Sequence, residues 1–313
     1  MRFDGQMLVA ISGENLSTSA ATLASYPWPP QLAGSIVTFN GVPASLAYVS
    51  PSQINAVVPS ALDGATGADV VVTTAAGASA PVPVTVTDSA LGIFTQNMTG
   101  CGQASALNVH SDGTISLNTP DNSLDPVGDL GLTMFLTGLG AFPDRTDGVP
   151  WQYDLSDNRE ASVNAMFGIP NLGMYSPPLT VTYAGPAPTL SGVDQVNVQF
   201  FYFPNMLTGI GQAMAPEGCR IPLYLTNPTS ASQIVNVSIH RNGGTCSDSP
   251  ANTLGTVTWQ QNVVRDVATS SSSSGIAIQF LQDNGLSFPQ TPGANFGEGS
   301  VTPEPALCAA ARP

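Results

Sequence analysis

Two stretches of this chain read as copies of one unit, and that repeat limits the possible folds more than any other feature. Residues 34–59 run GSIVTFNGVPASLAYVSPSQINAVVP, and residues 179–200 run LTVTYAGPAPTLSGVDQVNVQF. Asn40-Gly41 is matched with Ala184-Gly185, Pro43-Ala44 with Pro186-Ala187, and Gln53-Ile54-Asn55 with Gln195-Val196-Asn197. Each stretch alternates apolar and polar residues in short runs bounded by Gly, Pro or Asn, the pattern of strand, tight turn and strand. Self-similarity of this kind means that one β unit occurs twice.

The rest of the chain follows the same pattern. Around the first copy, strands are expected at Gln6 to Ser12, Ser35 to Phe39, Ala47 to Val49, Ile54 to Val58, Asp69 to Thr74 and Val82 to Thr87. Many short strands within roughly 90 residues is the immunoglobulin-like sandwich signature. Asp112-Gly113 predicts a hairpin joining Ala104–His110 to Thr114–Leu117, because that dipeptide suits the tight turns that match strand twist. The second unit opens with Leu132–Leu136 and closes with Ile221–Thr226 and Ile234–His240, after a long loop insertion from Pro143 to Met174. Beyond Gly243, Gly255–Val264 and Ile276–Leu281 read as strands separated by a low-complexity loop, Thr269–Ser274. The fold class is therefore all-β: residues 1–90 and 91–243 form tandem immunoglobulin-like β-sandwiches, and 244–313 form a small C-terminal β appendage, too short to bury much alone.

Only 9% of residues are charged, no lysine occurs, and 7 arginines stand against 21 acidic residues for a formal net charge of -14. Such a surface is a poor partner for nucleic acid or anionic lipid. No apolar run reaches the 18 residues a transmembrane helix needs. The four cysteines, Cys101, Cys219, Cys246 and Cys308, are widely spaced with no zinc-type pattern, so two disulfides and an oxidising compartment are expected, with three pairings open. Met1–Gln6 leads straight into a strand without a signal-peptide pattern, so a secreted form would start upstream of Met1.

Three constellations could carry function. Trp28 and Trp151, in corresponding loops, and Tyr153 beside the latter are the candidate ligand-binding residues. Aromatics held rigid by proline can stack on sugar rings, although such residues also serve as lids over the end of a sandwich core. Asp144, Asp147, Asp154 and Asp157 are the candidate metal ligands. Calcium takes six to eight oxygens from such loops, yet no EF-hand spacing is present, solvated turn residues are the plainer reading, and no cofactor is expected. The duplicated Gln-x-Asn places two amides on one strand face, suited to bonding the backbone of a neighbouring loop. Catalysis is not expected: His110 and His240 are the two histidines, and no G-x-S-x-G, H-E-x-x-H or phosphate-cradling loop occurs. Asn15, Asn97 and Asn236 fit the N-glycosylation sequon.

The segments GQMLVAISGENLS, SIVTFNGVPASLAYVSPSQINAVVP, VVVTTAAGASAPVPVTV, GIFT, GCGQASALN, TGLG, GVDQVNV, EGCRIPL and GGTCSD together resemble the tandem immunoglobulin-like, IPT/TIG-related domains at the C-terminal ends of large secreted proteins of soil acidobacteria. The resemblance covers about Met1 to Asp248 and implies an extracellular or cell-surface modular protein that acts as a spacer, stalk or binding platform, with no catalytic residues. The expected disulfides are Cys246–Cys308, closing the tail, and Cys101–Cys219 within the second unit. The expected role is a non-enzymatic structural or adhesive protein that self-associates through sheet edges, by strand addition, in a filament or layer. The alternative is a carbohydrate-binding module.

Overall fold

A computed structural model of the chain describes residues 2–23, 25–152, 158–167, 179–199 and 217–247, together with the backbone of 253–265 and 270–282. The described residues are overwhelmingly β, with two short 3-10 turns at Ser60–Leu62 and Glu160–Ser162. No helix among them is long and apolar enough to cross a membrane.

The N-terminal half pairs two sheets. One runs in the order Arg2–Phe3, Val82–Val86, Gly67–Thr74, Ser35–Phe39, Gln31–Leu32, and the other in the order Leu8–Ser12, Gln53–Val57, Ser45–Val49, Ala21–Thr22. Every pairing is antiparallel except Arg2–Phe3 with Val82–Val86, which is parallel. Alternation makes the layers. In Ser35–Phe39, Val37 and Phe39 point inward and are fully buried, and from the facing sheet Leu46, Val49 and Ile54 meet them in one core. Each such side chain contributes about 1.5–3 kcal/mol of burial free energy.

A second core lies between Ile115–Leu117, Ala106–His110, Asp129–Thr137, Asp194–Gln199 and Thr180–Pro186, paired in that order, and the three strands Asn164–Phe167, Gly218–Thr226 and Val235–Ile239. Met134, Leu136, Val196, Leu223, Val237 and Ile239 fill it. The expected hairpin forms, with Gly113 at φ 82°.

The repeat is structural, but its register differs from that of the sequence match. Tyr48 faces Asn55 and Tyr183 faces Asn197, each just past a bulge in the outer strand of a hairpin. Ser45–Val49 with Gln53–Val57 therefore corresponds to Thr180–Pro186 with Asp194–Gln199. Asn40-Gly41 is instead the turn of a separate hairpin, at φ 48° and 80°, whereas Ala184-Gly185 lies inside a strand. The Gln-x-Asn amides also bond each other rather than a loop. Gln53 Nε2 donates to Asn55 Oδ1 at 2.7 Å, and Gln195 Nε2 donates to Asn197 Oδ1 at 2.9 Å. Side chains two apart on a strand share a face, and that spacing brings the two amides together.

Two further expectations are corrected. The disulfide is Cys219–Cys246, with Cα atoms 5.3 Å apart, which excludes both Cys246–Cys308 and Cys101–Cys219. After Val235–Ile239 the chain reverses through Asn242, Gly243 and Gly244, all at positive φ. The Cys246 amide then bonds Pro120 O at 2.8 Å, and the thiol arrives beside Cys219 on the neighbouring strand. Cys101 is disulfide-bonded as well, and Cys308 lies outside the described residues. The serine run is not a loop: Ser270–Ser274 pair with Gln261–Arg265 in a ladder of thirteen residues per strand, Thr253–Arg265 with Ser270–Gln282. Ladder bonds use backbone groups that serine supplies as well as valine does.

Candidate functional site at the sandwich junction

Between Phe3 in one sheet and Leu8 in the other, the chain crosses the end of the first sandwich, and there it meets the second. Asp4 and Gln6 are almost wholly buried at this crossing. A buried polar side chain usually finds partners; both polar atoms of Gln6 and Asp4 Oδ2 find them at the junction, while Asp4 Oδ1 is buried without one among the described residues. Gln6 Nε2 donates to Arg145 O at 2.7 Å while Gln6 Oε1 accepts from Phe142 N at 2.8 Å, so one amide side chain pairs with the backbone as a strand would. Asp4 Oδ2 accepts from Gly140 N at 3.0 Å and Ala90 N at 3.2 Å. Leu8 N donates to Thr137 Oγ1 at 2.8 Å, and that hydroxyl donates to Gly192 O at 2.9 Å.

Arg145 anchors the second unit's side. Its Nη1 reaches Asp194 Oδ1 at 2.8 Å, its Nη2 reaches Val193 O at 3.0 Å, and both side chains are 3% exposed. Asp194 Oδ2 accepts from Leu139 N at 3.0 Å. Arg159 donates to Leu139 O at 2.8 Å and also to Ala141 O, and its guanidinium lies 3.9 Å from the centre of the Phe142 ring. Gly192 has φ 71°, and a Cβ there would lie 2.8 Å from Val57 Cγ2 and 3.1 Å from Leu8 Cβ, so a side chain is disfavoured both by the left-handed backbone and by the packing of the first unit against it.

Burial drives the electrostatics. It pushes the Asp4 carboxyl up to about 8, helped by the nearby Asp194 charge and opposed by the Gly140 and Ala90 amides and by Arg145. Asp194 is also raised by burial, with the Arg145 guanidinium and the Leu139 amide pulling it back.

Of the residues singled out from sequence, Asp147, Trp28 and Trp151 lie in loops around this junction rather than on an open binding face. Asp147 Oδ2 accepts from Ser60 N at 2.8 Å and Ser60 Oγ at 3.0 Å, tying the insertion to the first unit. Asp144 is exposed. Among the described residues no group of three or more His, Cys, Asp or Glu could hold a metal. Trp151 is 7% exposed and offers no open ring face; its backbone brackets the turn at Thr189 and Leu190. Trp28 is half-buried, its ring 4.9 Å from that of Tyr26, and its amide donates to Gly148 O at 2.8 Å. Tyr153, Asp154 and Asp157 lie outside the described residues. Asp4, Gln6, Arg145 and Asp194 escaped the sequence reading. One signal was available: Asp194 stands where the first copy of the repeat has Ser52, directly before Gln-x-Asn.

The fold and this junction define a class, an all-β protein of two sandwiches joined through a buried polar seam. No protein-family model matches the chain, and no curated protein does.

Proposed function

We propose that this chain is an extracellular structural or adhesive protein whose copies associate with one another, in a filament or layer at the cell surface, through open strand edges. We further propose that its sandwiches are immunoglobulin-like and of the IPT/TIG-related kind. The observation that carries the reading is the junction. A spacer must transmit force and hold direction, and here Asp4, Gln6 and Asp147 bond from one sandwich to the other beside the buried Arg145–Asp194 pair of the second unit, groups that would be costly to bury alone. The Cys219–Cys246 disulfide is compatible with an oxidising exterior.

The edge that serves association is the hairpin of Thr253–Arg265 and Ser270–Gln282. Among the described residues each of its strands pairs only with the other, and a lone two-stranded sheet is marginal in water until another strand joins it. The partner is a second copy of the chain. Negative-stain imaging and light scattering of the full chain across a concentration series test this. Filaments, sheets or a mass rising with concentration are expected, and a chain that stays monomeric at high concentration overturns the reading. Glycan binding by stacking is weaker support for a role, because Trp151 is buried and Trp28 lies against Tyr26.

A further inference from the structure

Away from the junction, three side chains form a hydrogen-bonded relay that no sequence motif announces. His110 closes the strand Ala106–His110, Ser116 sits in the edge strand Ile115–Leu117, and Asp129 opens Asp129–Thr137. Ser116 Oγ lies 2.7 Å from His110 Nε2, and His110 Nδ1 lies 2.7 Å from Asp129 Oδ1. A carboxylate accepts and does not donate, so Nδ1 carries the ring proton and Nε2 of the neutral ring is left to accept from the serine hydroxyl. The carboxylate is itself held, since Asp129 Oδ2 accepts from Asp125 N at 2.8 Å. A register shift between Val109 and His110 turns the imidazole toward Asp129, the kind of re-aiming that β-bulges perform. Asn122 Nδ2 donates to Ser116 Oγ and to Leu117 O, each at 2.8 Å, so both of its N–H bonds are used in fixing the serine hydroxyl against its own strand.

We propose that Ser116 is a nucleophile that hydrolyses short, uncharged carboxylic esters, with His110 as general base and acid and Asp129 orienting the imidazole. Nucleophile, base and orienting group stand at hydrogen-bond distance in series, the arrangement that defines a serine nucleophile whatever the fold. As Ser116 Oγ bonds to the ester carbonyl carbon, its proton passes to His110 Nε2. The bond to the alcohol oxygen then breaks, and that oxygen takes the proton. Water, giving a proton to Nε2, attacks the acyl carbon; the bond to Oγ breaks and Oγ regains the proton, so the net reaction converts ester and water into acid and alcohol. The substrate class follows from the surroundings. The His110 side chain is 31% exposed, Val127 and Leu130, which flank Asp129 in the chain, are exposed apolar residues, and a chain of net charge -14 repels anionic acyl groups.

The test reacts the full chain with a biotinylated alkyl fluorophosphonate and maps the adduct by mass spectrometry, alongside hydrolysis of p-nitrophenyl acetate. Label is expected on Ser116 of the folded protein, at a rate at least about 100-fold above that of the urea-unfolded chain. His110→Gln should slow labelling by a similar factor, and Ser116→Ala should abolish it at that peptide together with the ester turnover. Equal labelling of Ser116 in native and unfolded protein, or no label there, overturns the proposal. The comparison of native with unfolded wild type does not depend on either variant folding.

Discussion

Raising the pH should loosen the junction, and Asp4 is the group through which it does so. Its carboxyl titrates at about 8 in the folded protein against 3.8 as the reference value. Between those values the native state holds a proton that the unfolded chain has released, so stability falls as pH rises across that window and levels off above it. At about 1.4 kcal/mol per pH unit, the whole window amounts to roughly 6 kcal/mol, and the stretch from pH 6 to 8 to roughly 2–3 kcal/mol. For a protein of this size the latter corresponds to a fall in Tm of roughly 5–10 °C. Asp194 is shifted in the same direction, so the slope of the wild type contains both groups and a variant is needed to separate them. Asp4→Asn keeps an acceptor for the Gly140 and Ala90 amides and removes the titration. Thermal unfolding of wild type and Asp4→Asn from pH 5 to 9 checks it: the wild-type Tm should decline through pH 8 and the variant's should be markedly flatter. Parallel profiles, or a wild-type Tm that climbs over this range, would refute the assignment of a protonated Asp4 to the seam.

Arg145→Met should cost about 3–5 kcal/mol, because it leaves Asp194 buried and unpaired, while Arg145→Met combined with Asp194→Leu should recover part of that loss in urea unfolding. Gly192→Ala should lower stability by about 1–3 kcal/mol through the contact with Val57 at a left-handed backbone position, visible as a reduced Tm at neutral pH. Replacing Cys219 and Cys246 together by serine opens a loop spanning 27 residues and should cost about 2–4 kcal/mol, measured by denaturation under non-reducing conditions.

What could be read from the sequence about the candidate sites was which residues were unusual, not what they meet. Trp28, Trp151 and Asp147 stood out in Pro- and Gly-rich loops, and the structure places them around one seam. Their exposure was not legible, because a loop's sequence does not say which body it packs against. Gln6 and Arg145 are 139 positions apart, and no local pattern links them. The relay of His110, Ser116 and Asp129 was equally hidden: the hairpin that sets His110 beside Ser116 was predictable from Asp112-Gly113, but the bulge that turns the ring toward Asp129 was not.

The all-β class and most strand positions were determined by the sequence itself. Alternation in runs such as Ser35–Phe39 and Gln53–Val57 is a local property, and a pleated strand turns it directly into a buried and an exposed face. The tertiary structure alone decided the register of the repeat, the partner of Cys246 and the identity of the seam. Each depends on which chain segments, far apart in sequence, are brought within about 3 Å. That proximity is set by how whole sheets stack and by a few left-handed turn residues, so no window of neighbouring residues contains it.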